Sequence, residues 1–296
     1  MYKDFQSLLV KVKEKGKVSV AVVAAHDEAV LGAVKLGMQH GFLQPILIGD
    51  EKLIRQLADK IGLPADVQII DQPDEEKAAW EAILLVRGGQ VEALMKGLIN
   101  TAVFLRAVLK LDTSGARKFL SHLAAFEIPG QPKILFMTDV AFNSYPGLEE
   151  KKIILSSAIT ALHKIGYVRP NVAILGANEV PSPKLPSTMD AQKIVQMGKS
   201  GELPAAVIEG PLALDVVSSA ECAKHKHIES KIAGDVDLVL VPDIEAGNGI
   251  AKAMSHYANG IMAGVVLGAQ VPVILNSRSD SVEGKFISIA LAMMLK

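Results

Sequence analysis

The chain has 296 residues, half of them hydrophobic and 21% charged, with 31 Lys+Arg against 32 Asp+Glu. That length supports one large or two medium α/β domains, and a formal charge of -1 excludes a global field that would recruit nucleic acid or an anionic membrane. One cysteine, Cys222, excludes an internal disulfide and a Cys-rich zinc site, which suits a reducing cytosol.

The first residues, MYKDFQSLLVKVKEKGK, carry acids and no apolar signal core, so a cytoplasmic location is expected. The run VSVAVVAA (Val18 to Ala25) reads as a strand covered on both faces, because it is apolar without alternation. His26 and Asp27 follow it, then EAVLGAVKLGMQHG with helical spacing of Val30, Leu31, Val34 and Met38. PILIG predicts a second strand, Asp50 an N-cap, and EKLIRQLADKIG a second helix.

The alternation continues through VEALMKG, a helix over about Thr101 to Lys110, and the strand KILFMTDV with its polar loop AFNSYPG. A helix LEEKKIILSSAITALHKIG follows, and later NVAILG, AAVIEGP, DLVLVPD and VPVILNS read as strands. Alternation of this kind predicts an α/β chain with mostly parallel sheets. The stretch Ala177 to Ala191, ANEVPSPKLPSTMDA, is expected to be the longest irregular loop. The apolar run Ile261 to Leu275 is broken by Gly264, Gly268, Gln270 and Pro272, too short and interrupted to span a bilayer.

Ligands in such sheets gather at the carboxyl ends of strands. That rule singles out His26, Asp27, Lys96, Asp139, Asn143, Asn178, Glu179, Glu209, Asp243, Glu245, Asn248, Ser277, Arg278 and Asp280. Turns and caps also favour Asp, Asn and Ser for purely local reasons. Lys96-Gly97 ahead of a helix that Thr101 could cap reads equally as an anion site, from free N–H groups beside a cation, or as an ordinary turn. Arg106 lies five residues into that helix and reads as a surface arginine unless something faces it.

Three other motifs are weaker. Gly247-Asn248-Gly249-Ile250-Ala251-Lys252 has lysine where a dinucleotide fingerprint needs its last glycine, and no G-x-x-x-x-G-K-[ST] motif occurs. His225 and His227, within a lysine-rich stretch, read as a wet basic face rather than metal ligands. Cys222 reads as a small buried or half-buried residue rather than a nucleophile.

NSRSDSVEGK, Asn276 to Lys285, is the densest polar stretch after a strand. Asp280 and Glu283 fit a capping box at a helix start. Arg278, Ser277 and Ser279 exceed what capping requires, and an arginine beside helix N–H groups is a plausible phosphate or oxyanion clamp.

With MKGLINTAVFLRAVL, FMTDVAFNSYPGLEEK, VIEGPLALD, LVPDIEAGNG and NSRSDSVEGK in order, the chain resembles the phosphate acetyl/butyryl transferases essentially end to end. Its short length and S-R-x-D-S form look more like the butyryl-type enzymes. The resemblance implies two α/β/α domains of the isocitrate/isopropylmalate dehydrogenase-like kind, with the active site in the interdomain cleft. On that carry-over residues 1–145 and 272–296 form one domain and 146–271 the other, usually within a homo-oligomer, a dimer or higher.

The implied reaction is acyl-CoA plus inorganic phosphate giving acyl phosphate plus CoA, with CoA as a substrate and no bound metal or cofactor. The family's catalytic serine–arginine pair matches Ser277 and Arg278, and its phosphate-contacting arginine matches Arg106. Lys96, Thr101, Asn143 and Asn248 fall in the matching segments as substrate-binding candidates. The family's proposed base, an aspartate, aligns with Gly284 here, so Asp280 and Glu283 are its stand-ins. Rival readings are acetyl specificity, a non-catalytic acyl-CoA sensor and, more weakly, a dehydrogenase of the same fold.

Overall fold

The computed structural model describes residues 2–111 and 119–296. Its contacts divide into two compact units, Asp4–Lys118 with Ile261–Lys296, and Met1–Lys3 with Phe119–Gly260.

The first stretch alternates helix and strand as α1 (Phe5–Glu14), β1 (Val18–Val23), α2 (Glu28–Gln39), β2 (Leu43–Gly49), α3 (Glu51–Ile61), β3 (Gln68–Asp71), α4 (Glu75–Arg87), β4 (Ala93–Lys96) and α5 (Thr101–Leu109). Four starts follow one local rule. Asp27, Asp50, Asp74 and Asn100 each accept a backbone N–H from the first turn of α2, α3, α4 and α5. Thr101, expected as a cap, is therefore the first helical residue, because Asn100 already takes the N–H groups of Ala102 and Val103.

The second stretch runs β5 (Ser121–Glu127), β6 (Leu135–Thr138), α6 (Leu148–Lys164), β7 (Asn171–Leu175), α7 (Pro186–Ser200), β8 (Val207–Leu212), α8 (Leu214–Ser218), α9 (Ala220–His225), β9 (Leu238–Leu240) and α10 (Ile244–His256). Its strands lie in the order β5-β6-β9-β7-β8, with β5 and β6 antiparallel and the other pairs parallel. The last six residues of the loop expected over residues 177–191 belong to α7, which starts at Pro186. Proline suits the first turn of a helix, where its missing N–H has no intrahelical partner.

The chain then closes with β10 (Ile261–Leu267), β11 (Val273–Ile274) and α11 (Val282–Met294). These join the first stretch in the order β3-β2-β1-β4-β11-β10, parallel except for the antiparallel β10–β11 pair. The α/β class with mostly parallel strands is thus as expected. Sequence reasoning placed its divisions at 145 and 272, whereas the compact units divide after Lys118 and Gly260. The pairing explains the difference, since β5 and β6 bond to each other and on to β9, and β10 bonds to β11.

One helix anchors the unit that carries the Ser-Arg stretch. Helix α11 is buried at every position from Gly284 to Met294. A helix apolar all round has no solvent face and belongs inside a core. It packs against α1, α2 and β10, and Phe286 stacks on Phe42 with ring centroids 5.7 Å apart. The segment before it is thereby tied to rigid structure. Among the described residues no helix is long and apolar enough to cross a membrane.

Candidate active site

Lys96 ends β4 and is buried, with Nζ donating to the carbonyl of Gly97 at 3.2 Å. The next residue must be glycine in this backbone. A Cβ on Gly97 would lie 2.2 Å from the carbonyl oxygen of Ala24. Ala24 itself has φ 53°, a left-handed conformation that costs a non-glycine residue energy and often marks a functional strand end.

The N–H groups of Gly97 and Leu98 are not free, contrary to the anion-site reading of this turn. They donate to Val23 and Ala24, both at 2.8 Å, because pairing with β1 continues beyond β4. What remains for an anion there is the lysine.

The opposite feature is the turn from Ser277 to Asp280, between β11 and α11. Asp280 N donates to the Ser277 carbonyl at 3.1 Å, closing the turn. The carboxylate Oδ2 of Asp280 accepts from Ser277 N at 2.8 Å and from Asn276 Nδ2 at 3.3 Å. Asn276 also donates to Ser288 Oγ at 2.9 Å, and its own Oδ1 is buried with no hydrogen-bond partner.

The capping reading is corrected here. Ser281, not Asp280, is the N-cap of α11, its Oγ accepting from Gly284 N at 3.0 Å. Asp280 is already occupied by the turn, one residue too early to reach the helix N–H groups. Glu283 then sits in the first helical turn, without the reciprocal bond of a capping box.

Ser277, Arg278 and Ser279 are exposed at the tip of this turn. The two serine hydroxyls lie 3.0 Å apart. Arg278 has no hydrogen bond or ion pair with any described residue. A guanidinium held out on a braced turn, its five donors unspent among the described residues, is fit to grip an external anion.

Below the tip lies a second buried cation that sequence reasoning gave no role. Lys285, in the first turn of α11, is buried, and its Nζ donates to the carbonyls of Ser277 at 3.0 Å and Asp280 at 2.6 Å. The signal for it was present: one lysine precedes a long, mostly apolar run of the helix, near the end where the helix dipole disfavours a cation.

These groups share one electrostatic neighbourhood. Burial pushes the Lys96 ammonium below its ordinary value, and the positive charges of Arg278 and then Lys285 push it the same way, while Glu75 and Asp27 oppose them. Burial also lowers Lys285, against the pull of Asp280 and Asp27. A site in which two cations depress a third, Lys96, is short of negative charge there, and an incoming anion relieves it.

Other candidates stand elsewhere. Arg106 is exposed on α5, with Nη2 3.7 Å from Glu76 Oε1, on a cavity of about 200 Å³ that Trp80 and Lys110 also line. Asn143 and Asn248 belong to the second unit. Asn143 Nδ2 donates to Leu120 O at 3.0 Å and Asp139 Oδ2 at 2.5 Å, leaving its amide oxygen for a ligand. Asn248 Nδ2 reaches the Val140 carbonyl at 3.3 Å. Ser277, Arg278, Asp280 and Lys96 therefore come together within the first unit, and within the second Asn143 and Asn248 both bond residues 139–140.

Of the remaining strand-end polar groups, His26 has a buried Nδ1 with no hydrogen-bond partner among the described residues, while several others are spent on structural contacts. Asp27 and Asp243 are helix N-caps, Glu209 accepts from Ser230 Oγ and Lys231 N, and Glu179 pairs with Lys226. His225 bonds the carbonyl of Glu221 through Nδ1 at 3.1 Å.

Residues 72–293 match the family model described as phosphate acetyl/butaryl transferase. The chain is 43% identical to a phosphate butyryltransferase of Clostridium acetobutylicum, over 100% of this chain and 99% of the relative. It is 41% identical to the phosphate butyryltransferase of Clostridium beijerinckii, over 100% and 98%. A crystal structure of a branched-chain phosphotransacylase from Enterococcus faecalis superposes with a TM-score of 0.82 at 31% identity, covering 94% of this chain and 98% of that one. The resemblance carried by the Ser-Arg turn and its companion segments thus holds over the whole length, and the chain belongs to the phosphate acetyl/butaryl transferase family.

Proposed function

We propose that the protein transfers a short acyl group, butyryl by preference, between CoA and inorganic phosphate, with Ser277 and Arg278 at the reacting centre. The observation that carries this reading is the braced turn that presents Arg278, without a partner among the described residues, in the neighbourhood of buried Lys96. It occurs in a chain 43% identical to a phosphate butyryltransferase.

The chemistry follows from what these groups can hold. A phosphate oxygen bonds to the thioester carbonyl carbon, and the carbonyl π pair moves onto oxygen as a tetrahedral oxyanion. Collapse breaks the C–S bond, leaving acyl phosphate and CoA thiolate, which takes a proton from water. The reverse direction needs that thiolate as nucleophile. A thiol of pKa near 8.5 is already a few per cent ionised at pH 7, so full deprotonation is worth only about 2 kcal/mol. Losing one oxyanion donor costs about 10²–10³-fold in rate, the larger effect.

Arg278 therefore carries the main electrostatic task, with the Ser277 hydroxyl as a second donor and Lys96 neutralising the phosphate. Asp280 serves by bracing the turn, since its carboxylate already accepts two hydrogen bonds. Arg106, Thr101, Asn143 and Asn248 are assigned to substrate contacts. The same reading has the enzyme work in the cytoplasm as a homo-oligomer, with CoA as substrate.

The deciding experiment is CoA release from butyryl-CoA with and without phosphate, repeated with acetyl-CoA and a branched acyl-CoA. Phosphate-dependent release fastest with butyryl-CoA is expected. Release that ignores phosphate, or no release despite CoA-dependent thermal stabilisation, sinks the transferase reading in favour of an acyl-CoA sensor. A higher kcat/KM for acetyl-CoA overturns the butyryl preference alone.

A further inference from the structure

We propose that Lys285 is a positioning residue for the transfer reaction, holding the Ser277–Asp280 turn in the shape that presents Ser277 and Arg278. The inference rests on the reading of that turn as the reacting segment.

The geometry is a clamp. The single ammonium of Lys285 reaches the carbonyls at both ends of the turn, Ser277 O at 3.0 Å and Asp280 O at 2.6 Å. The same two residues are joined by the Asp280 N–Ser277 O bond and by the Asp280 carboxylate on Ser277 N. The backbone of the turn is thus tied on its carbonyl side by Lys285 and on its amide side by Asp280. Only the side chains of Ser277, Arg278 and Ser279 are left outward.

Nothing in local folding asks for a lysine here. The residue sits near the start of a helix, where cations are disfavoured, and most of α11 after it is apolar. It is buried without a carboxylate in ion-pair contact among the described residues; two carbonyls hold its ammonium directly, and the charges of Asp280 and Asp27 act on it from farther away. A methionine of similar length would suit the helix and the core better. Such a buried cation costs stability, and a turn fixed before the substrate arrives is what it returns. Misplacing a reacting group by about 1 Å costs about 10²-fold in rate.

The test is a double-mutant cycle with Lys285→Met and Arg278→Ala, read as kcat and KM on folded protein. Lys285→Met is expected to lower kcat about 10²-fold while KM for acyl-CoA changes less than about threefold. In the Arg278→Ala background the same change should cost less than about threefold, because the clamp acts through the turn. Lys285→Gln, which keeps amide donors, should recover part of the loss.

Wild-type kcat in folded Lys285→Met, or full additivity with Arg278→Ala, overturns the positioning role. Failure of both Lys285 variants to fold also overturns it and assigns the residue to stability. Wild-type activity in folded Arg278→Ala defeats the reading of the turn itself, a result distinct from the others.

Discussion

The backbone at Gly284 runs so close to Met262 that a Cβ built there would lie 2.4 Å from the Met262 carbonyl oxygen. Gly284 aligns with the family's proposed catalytic aspartate. Helix α11 is fixed against β10 at this point, so the position takes no side chain without a backbone shift. Gly284→Ala should lower stability by about 1–3 kcal/mol, the usual range for forcing atoms into a filled core. Gly284→Asp should be worse, because it would also place a carboxylate against a carbonyl oxygen, and it should not raise activity. Thermal unfolding of both variants is the check, and a wild-type Tm for Gly284→Ala would refute the close contact.

Asp280 provides a separate test of brace against base. A neutral amide oxygen can accept the Ser277 N–H in place of the carboxylate Oδ2, but it cannot accept a proton from a thiol. If Asp280 braces the turn, Asp280→Asn should keep kcat within about tenfold, while Asp280→Ala should lose more, since it leaves the Ser277 N–H unpaired. Equal losses of about 10²-fold or more in both variants would assign Asp280 to general base catalysis instead.

The lowered ammonium of Lys96 has a pH signature whose sign is fixed. Its folded value lies below its unfolded value, first through burial and then through Arg278 and Lys285. Between those two values the unfolded chain binds more protons, so the penalty of burying the charge fades and stability rises with pH. Phosphate acts the other way, because an anion favours the charged ammonium and its binding takes up a proton. KM for phosphate should therefore rise through the alkaline range below the ordinary lysine value. Lys96→Met should raise KM at neutral pH and flatten that rise. An unchanged alkaline slope in Lys96→Met would remove Lys96 from the phosphate site.

Much of the fold was legible because its causes are local. Continuous apolar runs such as Val18 to Ala25 announce strands covered on both faces, and Asp27 and Asp50 announce the helices they cap. Ser277 and Arg278 stood out because capping does not require them. Where reading failed, a competing local solution had won. Asn100 displaced Thr101 as a cap, Ser281 displaced Asp280, and Pro186 opened a helix inside an expected loop.

Sequence alone determined the class of the fold and the family, and it singled out the stretch proposed to carry the chemistry, since periodicity, caps and ordered segments are properties of neighbours along the chain. Tertiary structure alone decided what each polar group is free to do. It spent the Gly97 and Leu98 N–H groups on β1, turned Asp280 from a helix cap into a turn brace, and closed Gly284 to any side chain. It also brought buried Lys285 beneath Ser277, eight residues away along the chain. The physical reason is that a hydrogen-bonding group can be spent only once, and only packing across distant segments shows where each has gone.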